Sequence, residues 1–81
     1  NGPLRLCATL TLEPGASIGE HIHEKEDEIF YIVSGTAKVM DNGVEKIVYA
    51  GDSVITGNGG SHSIENIGID DLVVFATIVT Y

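Results

Sequence analysis

The sequence predicts an all-β sandwich or barrel, on three observations. Apolar and polar side chains alternate at period two in its clearest segment, no apolar pattern repeats at helical spacing beyond a turn or so, and Gly-containing turn signals recur at short intervals. Short strands joined by such turns favour a closed or doubled sheet, because closure removes the unpaired edges of an open one.

Leu4, Leu6, Ala8, Leu10 and Leu12 alternate with Arg5, Cys7, Thr9 and Thr11, so residues 4–12 form a strand with one face on a core. Glu13-Pro14-Gly15 ends it, since Pro cannot donate to a ladder. A second short strand runs from Ile18 to His23, followed by the charge cluster Glu24-Lys25-Glu26-Asp27, read as a solvated loop. Ile29 to Val33 is apolar or aromatic at every position and rich in β-branched residues, which suits a strand buried on both faces. Gly35 stops it. Asp41-Asn42-Gly43, between Ala37–Met40 and Val44–Tyr49, predicts a type I′ hairpin, whose two central residues need positive φ. Gly51-Asp52 marks a further turn, Ser53–Thr56 a short strand, and Gly57-Asn58-Gly59-Gly60 a flexible loop; with no Lys and no helix pattern after it, that loop makes a poor phosphate cradle. His62–Ile67, a turn over 68–71 and the apolar run Leu72–Val79 complete the chain.

The length of 81 residues allows a single domain, 1–81, with one hydrophobic core. A hydrophobic fraction of 43% with 20% charged residues is a globular composition. Twelve acidic against four basic residues give a net charge of −8, which repels phosphate backbones and anionic headgroups, so nucleic-acid and membrane-surface roles are disfavoured. No apolar run reaches the roughly 18 residues needed to cross a bilayer, and no basic-then-apolar leader opens the chain; a cytoplasmic location is expected. Cys7 is the single cysteine, so no intrachain disulfide forms.

The residues that carry chemistry are histidines. His21 and His23 lie two apart on an expected strand and share a face, where both can reach one metal ion. Glu28 opens the next strand and His62 supplies a third imidazole from far downstream. Three imidazoles and a carboxylate suit Mn, Fe, Co, Ni, Cu or Zn and are poor for Ca or Mg. On its own, a His-x-His pair is more often an exposed strand feature than a ligand pair. Glu26 has the same strand parity as Glu28, whereas Glu20 has the opposite parity to His21.

With their glycines these residues form two spaced patterns, Gly15-x5-His21-x-His23-x4-Glu28-x6-Gly35 and Gly51-x7-Gly59-x2-His62-x3-Asn66. Together the patterns resemble the two motifs of the cupin superfamily, over 15–35 and 51–66. The first matches at every defining position; in the second, Gly57 stands where the family usually has Pro. The resemblance implies a cupin-like jelly-roll β-barrel of short antiparallel strands, with one divalent transition metal held by His21, His23, Glu28 and His62. Within it, the interval to Gly35 selects Glu28 over Glu26, and Glu24, Glu26 and Asp27 become solvated loop charges.

Four protein ligands leave two positions open on a six-coordinate ion, enough for a bidentate small molecule. Phe30 and Ile32 share parity with Glu28, and Ile64 with His62, so the surroundings of the ion should be apolar and its small-molecule ligand bound inside the barrel. The opposite face of the third strand, Ile29, Tyr31 and Val33, is expected to be covered in a homodimer; packing between the two sheets of one subunit is the alternative. Tyr31, Tyr49 and Tyr81 are read as packing residues rather than catalytic acids, and Asn66 as a turn-stabilising amide. The family likeness implies either a metalloenzyme of dioxygenase, isomerase or decarboxylase type, or a non-catalytic module that captures a sugar or small organic acid. No further carboxylate or His converges as a separate general base, which weakens reactions that need one.

Overall fold

In a computed structural model the chain is described over residues 4–22, 26–57 and 61–80, with side chains over 7–19, 26–56 and 61–79. Eight strands follow one another: β1 (Leu4–Leu12), β2 (Ser17–Ile22), β3 (Glu26–Ser34), β4 (Thr36–Asp41), β5 (Val44–Tyr49), β6 (Ser53–Gly57), β7 (Ser61–Asn66) and β8 (Leu72–Thr80). They form two four-stranded sheets, in the orders β1-β8-β3-β6 and β2-β7-β4-β5, and every recorded pairing is antiparallel. The chain changes sheet at each connection except the β4–β5 hairpin, and this is the jelly-roll arrangement. Residues close in sequence therefore end up facing each other from opposite sheets.

The inward faces interdigitate. Phe30 and Ile32 of β3, Val54 of β6 and Leu72, Val74 and Ala76 of β8 meet Ala37 and Val39 of β4, Val48 of β5 and Ile64 of β7. Full burial of a side chain the size of Phe30, Ile32, Ile64 or Leu72 contributes about 1.5–3 kcal/mol. A one-residue slip of β3 would turn Phe30 and Ile32 to the outer face and bring Ile29, Tyr31 and Val33 inward, so the side chains that fill the core depend on the ladder register. Along β1, Leu10 and Leu12 pack on this core while Cys7, Thr9 and Thr11 point outward, as the period-two pattern requires.

Two turns show why particular residues are needed. At the β4–β5 hairpin Asn42 has φ 50° and Gly43 φ 80°, the positive pair of a type I′ turn. Gly35, between β3 and β4, has φ 100°, and a Cβ there would lie 3.0 Å from Asp71 O and from Leu72 Cα. Only glycine lets the chain pass from one sheet to the other at that point.

Three sequence expectations need correction. The segment Ile29–Val33 is not buried on both faces: β3 extends over Glu26–Ser34 and alternates, with Tyr31 46% and Val33 49% exposed. An antiparallel sandwich covers one face of each sheet, so a continuous apolar run here has an inward set and an outward set. The outward set joins Ile55 and Phe75 on the outer face of its sheet, so it does not pack between the sheets of one subunit. Glu26 and Asp27 are not loop charges; both are half-buried in β3, where backbone pairing with Thr80 and Val79 of β8 extends the strand past the apolar run. Gly57 belongs to β6 rather than to the following loop, whose positions Asn58, Gly59 and Gly60 lie outside the described residues, as do Glu24 and Lys25.

Candidate metal centre

Glu28 and His62 stand on inner strands of opposite sheets: β3 lies between β8 and β6, and β7 between β2 and β4. On β3, Glu28 is the ladder partner of Thr56, so both side chains project to the same, inward face. On β7, His62 alternates with Ser61 and Ser63 and shares the inward face with Ile64 and Asn66. The β4–β5 hairpin holds the start of β7 in place. Asn42 N–H donates to Ser61 O at 2.9 Å, and Ser61 N–H donates to Asn42 Oδ1 at 3.1 Å.

The imidazole of His62 is fully buried and bridges the gap between the sheets. Its Nε2 lies 2.8 Å from Glu28 Oε1, and its Nδ1 lies 2.7 Å from Thr56 Oγ1. Phe30 meets the ring edge-on, with centroids 5.4 Å apart and planes at 80°. Glu28 is 5% and Thr56 3% exposed, so all three polar groups sit in an environment of Phe30, Ile32 and Ile64 at 1% or less. A carboxylate removed from water in this way is costly unless hydrogen-bonded, and the ring supplies that partner. An imidazole nitrogen and a carboxylate oxygen from separate sheets thus converge on one point, the donor pair that a first-row divalent ion takes.

Of the four ligands expected from the sequence, the structure brings Glu28 and His62 together. His21 is placed by its backbone: its Cα is the ladder partner of His62, just after a register shift between Ile18 and His21. Its side chain, and the whole of His23, lie outside the described residues. Irregular pairing of this kind is a recurrent device beside functional sites. The apolar surroundings expected from strand parity are present. Tyr31 and Tyr49 are exposed at 46% and 57% and do not face the site; Tyr81 lies outside the described residues. Asn66 does stabilise a turn: Nδ2 donates to Leu12 O at 2.9 Å and Asp70 O at 2.8 Å, while Gly68 N–H donates to Oδ1 at 2.8 Å.

Sequence reasoning missed Thr56. Its parity with Val54 was available, but Ile55 between them is equally apolar, so Val54-Ile55-Thr56 does not reveal which face is inward. The ladder settles it: Val54 is 6% exposed and Ile55 65%.

The comparisons agree with this architecture. The sequence model described as "Cupin domain" matches residues 8–79. An oxalate-binding protein of Thermotoga maritima is 48% identical over 75 residues, covering 93% of this chain and 62% of that protein. A mannose-1-phosphate guanylyltransferase of Salmonella montevideo is 39% identical over 59 residues, 73% of this chain but 12% of its own length. Among solved structures, a predicted oxalate decarboxylase of Thermotoga maritima superposes with a TM-score of 0.95 at 46% identity, over 98% of this chain and 69% of that one. The chain thus spans less than two thirds of the length of these curated relatives. With the family's sequence model matched over residues 8–79, and the antiparallel jelly roll that the resemblance implied, the chain belongs to the cupin domain family.

Proposed function

We propose that this cupin domain holds one divalent transition-metal ion through His21, His23, Glu28 and His62 and uses it to bind a small chelating acid of the oxalate class. What carries this is the meeting of Glu28 Oε1 and His62 Nε2 at 2.8 Å in the interior, two metal donors supplied by different sheets. The groups fit such an ion in kind, and Thr56 behind Nδ1 is the sort of hydrogen-bond partner that ligating histidines keep. The ladder position of His21 opposite His62 supports its inclusion, and His23 enters through the motif spacing.

When bound, the ion would supply Lewis acidity and two open positions for a pair of ligand oxygens. The chain's residues set the rest. One carboxylate and three neutral imidazoles leave a divalent site at about +1, attractive to an anion although the chain carries −8 overall. Phe30, Ile32 and Ile64 keep water from the buried pair, and in that low-dielectric setting charge attraction is stronger than at the surface. The likeness to an oxalate-binding protein supports a dicarboxylate over a sugar.

Turnover is the second reading, suggested by the structural relative described as a predicted oxalate decarboxylase. Among the described residues the buried polar side chains are Glu28, Thr56, His62 and Asn66. Asn66 is committed to backbone groups, and Glu28 and His62 to the ion, so no separate acid is present there to protonate a product carbanion. Binding is therefore favoured over catalysis.

Elemental analysis of untagged protein purified without added metal, followed by calorimetric titration with oxalate, tests this. A single transition-metal ion per chain is expected, with oxalate binding lost after chelator treatment and restored by adding the ion back. Equal oxalate binding by the stripped protein would overturn the proposal.

A further inference from the structure

We infer that two copies of this chain meet through the outer face of the β1-β8-β3-β6 sheet, sheet against sheet about a two-fold axis. The contact needs no metal ion, so it stands or falls apart from the metal centre.

The ladder registers fix which side chains share that face. Tyr31 lies between Phe75 of β8 and Ser53 of β6, and in the next outward row Ile29 lies between Thr77 and Ile55. On β1, Thr9 continues the row of Phe75. Tyr31 is 46%, Val33 49%, Ile55 65% and Phe75 38% exposed, so the face presents two aromatic and two branched aliphatic side chains to solvent. No residue of these rows is charged. Asp27, with the strand parity of Ile29, lies at the end of the face beside Val79, where a polar rim belongs.

The other sheet is dressed differently. On its outer face Lys38 pairs with Glu65 at 3.3 Å, and Glu45 stands opposite Met40, so the exposed Ile47 sits among charges. Mixed charge is the ordinary exterior of an antiparallel sandwich, whereas an uncharged apolar face marks a contact surface.

Charge and area identify the occupant as a second copy. At −8 the chain repels its own kind, and any charge near a two-fold axis would meet its duplicate. An uncharged face is therefore the one a self-contact can use. A basic partner would be drawn to the acidic parts of the surface instead. With strands about 4.8 Å apart and about 3.3 Å per residue, strands of nine, nine, nine and five residues make a face of roughly 500 Å². Two copies would cover about 1,000 Å², the lower bound for a specific interface, so dimer and monomer should exchange with concentration.

Sedimentation equilibrium over a concentration series tests this. The wild-type mass is expected to rise from 8.6 kDa toward twice that value. Added salt should tighten association, because it screens the repulsion between two acidic chains. Ile55→Glu should weaken association by about 100-fold or more, because it sets like charges together in the interface. Ile47→Glu makes the same change of charge on the other sheet and should dimerise like wild type. Thr9→Glu puts a carboxylate on the proposed face without removing an apolar side chain, and decides the matter if Ile55→Glu does not fold. A wild-type protein monomeric up to about 1 mM, the weak end of the affinity scale, would overturn the inference. So would a dimer left intact by the carboxylate on this face, an equal loss in Ile47→Glu, or association weakened by salt.

Discussion

Strand β7 carries two buried polar side chains four residues apart, and they are held in opposite ways. Asn66 makes its three side-chain hydrogen bonds to backbone groups of the β1 end and the turn before β8. Those partners cannot leave, ionise or exchange. Among the described residues, His62 bonds the side chains of Glu28 and Thr56 on the other sheet, partners that can shift a proton or turn toward an ion. Burial is equal, at 1% and 0%, so burial does not separate a structural polar group from a functional one. The nature of the partners does: fixed backbone groups lock a fold, and ionisable side chains leave chemistry available.

Two substitutions press on that difference. His62→Leu should be the more damaging to stability, by about 3–5 kcal/mol, because it takes from the buried Glu28 carboxyl the imidazole bonded to it at 2.8 Å. For a small domain with about 5–15 kcal/mol in total, urea denaturation would show a large fall in midpoint, and zinc binding should vanish with it. Asn66→Ala removes three hydrogen bonds and should cost about 3 kcal/mol at roughly 1 kcal/mol each. Its zinc affinity, measured on the folded fraction, should match wild type. A weakened metal site in Asn66→Ala would mean that the two residues act as one unit along β7, and the contrast between them would fail.

The sequence made part of this legible. The Leu4–Leu12 alternation, the Asn42-Gly43 turn and Leu72–Val79 all signal local structure through side-chain period or backbone preference, and each is found in place within a residue or so. Ile29–Val33 was misread because β-branched and aromatic residues on an outward sheet face look like core when no polar residue interrupts them. At the site, Glu28 and His62 were legible through motif spacing, yet nothing local could reveal that they face each other, since that depends on the chain changing sheets between them. Thr56 occupies an unspecified position of the second pattern and became visible only as the ladder partner of Glu28.

The smallest expected change in stability is the most discriminating. Glu28→Gln keeps the shape of the side chain and an oxygen that can accept from His62 Nε2–H, but removes the negative charge. If the pair holds the sheets together chiefly through that hydrogen bond, the lost charge assistance and the avoided cost of burying a carboxylate oppose each other, and stability should move by less than about 1 kcal/mol. Zinc affinity should nevertheless drop by about 100-fold or more, because an amide oxygen is a poor ligand and the site loses the charge that offset the ion. Stability near wild type with a failed metal site would show the carboxylate kept for the ion rather than for the fold. A loss as large as that of His62→Leu would show the reverse: the charge itself would then be structural, and Glu28 would belong with Asn66.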